Sequence, residues 1–126
     1  MMVIGIGATS TATSADIVSA AQECCAQGGA NITDLTDLAG LDRPETRNAI
    51  QAAADQLGVR TAFCSKSALQ AGAARCQTQS GRSLAAAGVP SVAEASALVA
   101  AGPGSRLIVP RIAFAKVTAA LAVGAA

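Results

Sequence analysis

What most constrains this chain is an alternation: short apolar runs suited to buried strands take turns with longer stretches that repeat at helical spacing. The first run, residues 2–7, opens into Ala8-Thr-Ser-Thr-Ala-Thr-Ser14, a loop made almost wholly of hydroxyls and alanine. Thr13 or Ser14 is then the expected N-cap, and Thr13-x-x-Asp16 fits a capping pattern. Ile17, Val18, Ala21, Cys24 and Cys25 share one face of the helix, and Gly28-Gly29 stops it. Residues 31–36 read as a second strand. Asp42 is the expected cap of a second helix, with Pro44 and Glu45 in its first turn. Its apolar stripe is Ala49, Ile50, Ala53 and Leu57, and Gly58 ends it. Residues 59–63 alternate as a third strand. The next stretch predicts a short helix over 66–72, a loop, and another helix over 82–87. Ser91-Val-Ala-Glu94 has the form of a capping box before an alanine-rich helix that Gly102 ends. Residues 106–109 and 117–123 are the last strands. Such alternation implies an α/β layered fold with a mixed, largely parallel sheet.

The 126 residues suit one domain, 1–126, and show no internal repeat or linker. Phe63 and Phe114 are the only aromatic residues, which argues against nucleic acid, because single strands are held on stacked rings. The net charge of +1 predicts no polyanion partner, but its distribution is uneven. Residues 1–55 hold seven acids against Arg43 and Arg47, whereas residues 56–126 hold seven bases against Glu94 alone. Either a basic surface meets an anionic ligand, or these are scattered, solvated charges. The opening residues lack the basic start of a signal peptide, and the most apolar window, 84–101, is broken by Gly88, Pro90, Ser91 and Glu94. A cytoplasmic protein without membrane contact is expected. With no histidine, and with Cys24, Cys25, Cys64 and Cys76 never spaced as Cys-x-x-Cys, neither a metal site nor a cofactor is expected. The cysteines read as small core residues.

Three places could carry chemistry. Thr9, Ser10 and Thr11 follow the first strand, where a helix N-terminus offers N–H groups to a carboxylate or phosphate. Turn plus cap is the stronger reading on spacing alone: Gly5-x-Gly7 lacks its third glycine, and no Gly-Lys-Ser/Thr occurs. Ser91 and Glu94 could hold a ligand amide, or simply close the capping box, the stronger reading. Arg111 and Lys116 could neutralise ligand carboxylates or remain solvated at a strand edge. No Ser–His or Cys–His pair can be built without histidine, although serine–lysine and carboxylate-only mechanisms stay open.

Taken in order, three blocks resemble the cobalamin-biosynthesis family of CobE and the CbiG C-terminal domain, over essentially the whole chain. They are Val3-Ile-Gly-Ile-Gly7, Gly88-Val-Pro-Ser-Val-Ala-Glu-Ala-Ser-Ala-Leu-Val-Ala-Ala-Gly102, and Leu107-Ile-Val-Pro-Arg111 with Lys116-Val-Thr-Ala-Ala-Leu-Ala122. The resemblance implies a three-layer α/β/α fold with a mixed sheet, and a role in building the corrin ring. It points to an accessory protein that binds a corrinoid or precorrin intermediate as a carrier, with Thr9, Ser10, Thr11, Ser91, Glu94, Arg111 and Lys116 as candidate contacts. The alternatives are a cobalt-precorrin lactone hydrolase that releases acetaldehyde, as in the longer relatives, or a structural partner of another pathway enzyme. A homo-oligomer is also open. Members usually carry Gly-Cys-Arg and a further basic residue after the first strand, where this chain has Ala8, Thr9 and Ser10. Their lysine before the second helix has Arg43 as its nearest basic counterpart.

Overall fold

A strand that places isoleucine on one face and valine on the other needs cover on both, and the first run of this chain has it. In the computed structural model, which describes residues 1–125, β1 (Met2–Ala8) is the central strand of five. It is followed by α1 (Ser14–Gln27), β2 (Asp37–Leu41), α2 (Pro44–Leu57) and β3 (Arg60–Cys64). Then come α3 (Lys66–Ala73), α4 (Gly81–Ala87), α5 (Val92–Ala101), β4 (Arg106–Ala113) and β5 (Val117–Val123). The sheet order is β3-β2-β1-β5-β4. β1 pairs in parallel with β2, and β2 with β3; β5 is antiparallel to both β1 and β4. The sheet is therefore mixed, with β5 alone reversed.

Helices cover both faces, giving the three-layer α/β/α architecture. α1 and α2 bury Ile17, Ala21, Cys24, Ile50 and Ala53 against Ile4, Ile6, Leu38, Ala119 and Leu121. On the opposite face α5 packs Ala97, Leu98 and Ala101 on Val3, Ala39 and Ala122, and α3 packs beside it. α5 is buried from Val92 to Leu98 and sits so close to β1 that a Cβ at Gly5 would lie 1.8 Å from the Ala93 carbonyl oxygen. No other residue permits that approach. Among the described residues no single helix is long and apolar enough to cross a membrane.

The capping pattern at Thr13 is present in full: its hydroxyl accepts from the Asp16 N–H at 3.2 Å, and Asp16 accepts from the Thr13 N–H at 2.9 Å. The helices expected over 66–72 and 82–87 are α3 and α4, and the last strand has its expected bounds. Two expectations need correction. Residues 31–36 are not a strand: Asn31 accepts from the Thr33 N–H at 3.0 Å and caps a 3-10 turn, Ile32–Asp34, and the strand comes later as β2. Asp42 does not cap α2. Its carboxylate takes Arg47 at 2.7 Å instead, and Arg43 is the N-cap, without a side-chain cap bond. All four cysteines are free, and Cys24, Cys25 and Cys64 are buried as core residues.

Candidate functional site

Parallel strands bring their carboxyl ends to one edge of a sheet, and here β1 and β2 end beside the turn that joins β4 to β5. A cleft of about 90 Å³ opens at this edge. Gly7, Ala8 and Thr9 form one part of its wall, Leu41, Arg43 and Thr46 a second, Ser80, Arg82 and Ser83 a third, and Lys116 to Thr118 a fourth. Hydrogen bonds fix the frame. The Thr9 N–H donates to the Lys116 carbonyl at 3.0 Å, the Phe114 N–H to the Val117 carbonyl at 2.8 Å, and the Thr118 hydroxyl to the Gly7 carbonyl at 3.4 Å. The third wall is placed by α4. The Ser80 N–H donates to the Pro90 carbonyl at 2.8 Å, and the Gln70 side-chain amide holds the far end of α4 through the Gly88 carbonyl at 3.2 Å.

Electrostatically the cleft is one-sided. Arg43, Arg82 and Lys116 line it, and among the described residues no carboxylate or thiol does. Arg43 shares its Nε with the exposed Glu45 at 3.3 Å. That contact and the Glu45 backbone N–H, the larger cause, hold the Glu45 carboxyl below its ordinary value. Ser80 and Ser83 accept from the Ser83 and Val92 N–H groups, both at 3.3 Å, which leaves each hydroxyl proton free to donate. The arrangement can therefore donate hydrogen bonds and neutralise negative charge.

The seven candidate contacts separate into groups. Thr9 and Lys116 line the cleft. Ser10 and Thr11 are exposed on the same loop but outside its lining. The N-terminus of α1 is closed by Thr13 and Asp16, and hydrogen bonding from the Thr13 backbone N–H, followed by the Thr13 side chain, keeps the Asp16 carboxyl low. Ser91 and Glu94 are fully buried behind the third wall. Only half of the expected capping box exists there, because the Ser91 hydroxyl accepts from the Glu94 N–H at 3.1 Å while the Glu94 carboxylate turns elsewhere. It accepts from the N–H groups of Gln77 at 2.7 Å, Thr78 at 3.0 Å and Arg111 at 2.9 Å, and from the Thr78 hydroxyl at 3.1 Å. Glu94 thus ties the loop before α4 to β4. Arg111 contributes its backbone N–H to that knot, while its buried Nε has no partner among the described residues. Arg82, Ser80, Ser83 and Thr46 were not candidates from sequence; their only signal is an unpaired arginine beside a Ser-x-x-Ser helix start.

The sequence and the fold match known proteins. The sequence profile of the family described as Cobalamin synthesis G C-terminus matches residues 2–122. The curated Protein CobE of Sinorhizobium sp is 36% identical over 121 residues, covering 96% of this chain and 79% of that protein. The crystal structure of cobalamin biosynthesis protein chiG from Agrobacterium tumefaciens is 34% identical, with a TM-score of 0.76 and full coverage of both chains. The crystal structure of CobE, a protein from the cobalamin (vitamin B12) biosynthetic pathway, shares the fold at a TM-score of 0.91 and 24% identity, covering 97% of this chain and 89% of that one.

Proposed function

The chain belongs to the Cobalamin synthesis G C-terminus family and is a protein of cobalamin biosynthesis, and we propose that it binds a corrinoid intermediate and carries it between enzymes. The observation behind this reading is the cleft itself, where Arg43, Arg82 and Lys116 surround hydroxyl groups at the carboxyl ends of β1 and β2. Corrin intermediates carry acetate and propionate side chains around the ring, and guanidinium and ammonium groups suit such ligands. The cleft's volume of about 90 Å³ is well below the roughly 300–1,000 Å³ of a pocket that encloses a ligand. A macrocycle is therefore held by its edge, which leaves the ring within reach of the next protein. In this reading Thr9 and Lys116 contact the ligand, Ser10 and Thr11 sit at the lip, and Ser91, Glu94 and Arg111 support the wall. A lining of cations and hydroxyls, with no carboxylate, imidazole or thiol among the described residues, favours binding over lactone hydrolysis.

Titration with hydrogenobyrinic acid, followed through the corrin absorbance, tests the reading. A saturable spectral shift is expected, weakened about tenfold when Arg82 and Lys116 are both changed to glutamine. No shift at high protein concentration refutes the carrier, and acetaldehyde release from a precorrin lactone replaces it with the hydrolase.

A further inference from the structure

The sheet ends in two edge strands, β3 and β4, and only β4 is guarded. β4 carries Pro110, exposed and without an N–H, and two register shifts against β5, which discourage a further strand from pairing. β3 pairs with β2 in unbroken register from Arg60 to Cys64, and its middle, Thr61-Ala62-Phe63, is uncharged and partly exposed. The Arg60 N–H donates to the Thr36 carbonyl at 3.1 Å, and the Cys64 carbonyl accepts from the Asp42 N–H at 2.8 Å. Alternation along the strand therefore turns the N–H and C=O groups of Thr61 and Phe63 outwards. There they have no partner among the described residues. α2 packs over β2 and β3 and lays Arg47, Gln51 and Asp55 along this edge. The Arg47 guanidinium stands 4.2 Å over the Phe63 ring, and Gln51 links the Thr61 hydroxyl at 3.2 Å to Asp55 at 3.0 Å. All three side chains are exposed, and the row runs from a cation to an anion. Such a row is complementary to its own copy turned end for end.

We propose that β3 pairs antiparallel with β3 of a second copy of this chain, about a two-fold axis at Ala62, so that the two sheets become continuous. In that register Thr61 of each copy faces Phe63 of the other, and their outward N–H and C=O groups satisfy one another. Ala62 meets its own copy at the close, non-hydrogen-bonded position, which a small side chain suits. α2 of each copy lies beside its twin, with Arg47 towards the partner's Asp55. The joined strands are short against the roughly 1,200–2,000 Å² of a standard interface, so the dimer is weak and concentration-dependent. Because the strands run in opposite directions, the two clefts open at opposite edges of the joined sheet and both stay free.

Sedimentation equilibrium on the full chain tests this. The mass is expected to rise from the 12.3 kDa of one chain towards twice that value as concentration climbs through the micromolar range. Thr61→Pro removes an outward N–H without touching the β2 ladder and should abolish the rise. Asp55→Arg sets like charges together and should weaken association about tenfold. Adding Arg47→Asp reverses the row and should restore it. A mass that stays at one chain up to millimolar concentration overturns the proposal. A dimer that neither Thr61→Pro nor Asp55→Arg weakens overturns its location. Weakening by Asp55→Arg that the charge swap leaves unrestored overturns the two-fold register. Should Thr61→Pro fail to fold, the charge swap decides alone.

Discussion

Replacing Glu94 tests whether one buried carboxylate holds a wall of the cleft. Glu94 is 0% exposed and accepts four hydrogen bonds, three of them from backbone N–H groups at Gln77, Thr78 and Arg111. Bonds to a charged acceptor contribute about 1.5–3 kcal/mol each, and an orphaned buried donor costs about 1–3 kcal/mol. In Glu94→Ala the exposed Gln77 and partly buried Thr78 can turn their N–H groups to water. The Arg111 N–H lies in β4 against α5 and has less freedom. Taking that donor at its full cost, adding one charged bond's worth for the loop and allowing for water entry gives a loss of about 3–4 kcal/mol. This is a large share of the roughly 5–15 kcal/mol that stabilises a domain. Glu94→Gln keeps one accepting oxygen but sets an amide NH₂ against donors, so a loss of about 2 kcal/mol is expected. Urea unfolding measures both, with the midpoint falling and the slope unchanged. Variants within about 1 kcal/mol of the parent would refute the role assigned to this carboxylate.

Four other outcomes are expected. Gly5→Ala drives a methyl into the Ala93 carbonyl oxygen, at a cost of about 3 kcal/mol or more by urea unfolding; an unchanged midpoint would show that α5 can withdraw. Burial pushes the Cys24 thiol up to about 12 from an ordinary 9.0. Because the folded value is raised, that stability is present below pH 9 and is lost as pH rises from 9 towards 12, which unfolding followed across this range checks. In thiol labelling the half-buried Cys76 should react before Cys24, Cys25 and Cys64. Hydrogen bonds from Thr13 hold the Asp16 carboxyl below 3.8. With the folded value depressed, Asp16→Asn should be less stable than the parent above about pH 4, and the difference should close as pH falls below 3.8.

The legible parts of the fold were those fixed by local chemistry. The Thr13 capping box and the αL glycine at Gly58 that ends α2 each leave their signal within a few residues. The second strand was not legible, because a central parallel strand carries no polar alternation and Asp37-Leu-Ala-Gly-Leu41 is buried at every position. Gly40 reads as a loop glycine in sequence, whereas in space a Cβ there would meet Ile50 at 3.0 Å. Asn31 and Thr33 instead offered a β-like polar run that local side-chain bonding turned into a 3-10 helix. The candidate site was half visible. Thr9 and Lys116 lie at the ends of predicted strands, but Thr46, Ser80, Ser83 and Arg82 reach the cleft only through the packing of α2 and α4. Glu94 showed its local pattern and hid its long-range one: a Ser-x-x-Glu start predicts the cap but cannot reveal donors at Gln77 and Arg111, both 17 positions away.

The two jaws of the cleft differ in compliance. Thr46 and the ends of β1 and β5 are rooted in the sheet and in the α1–α2 layer. α4 is one short helix with Leu84 exposed and Ala87 as its only buried residue, suspended from the Pro90 carbonyl, the Gln70 amide and the loop that Glu94 holds. In the carrier proposed above, a thicker ligand edge is expected to displace α4 and leave the Arg43–Thr46 side where it is. Such a grip would be strict about what it grasps and lenient about what stands behind it, and the proposed carrier would then accept rings whose outlying decoration changes from step to step.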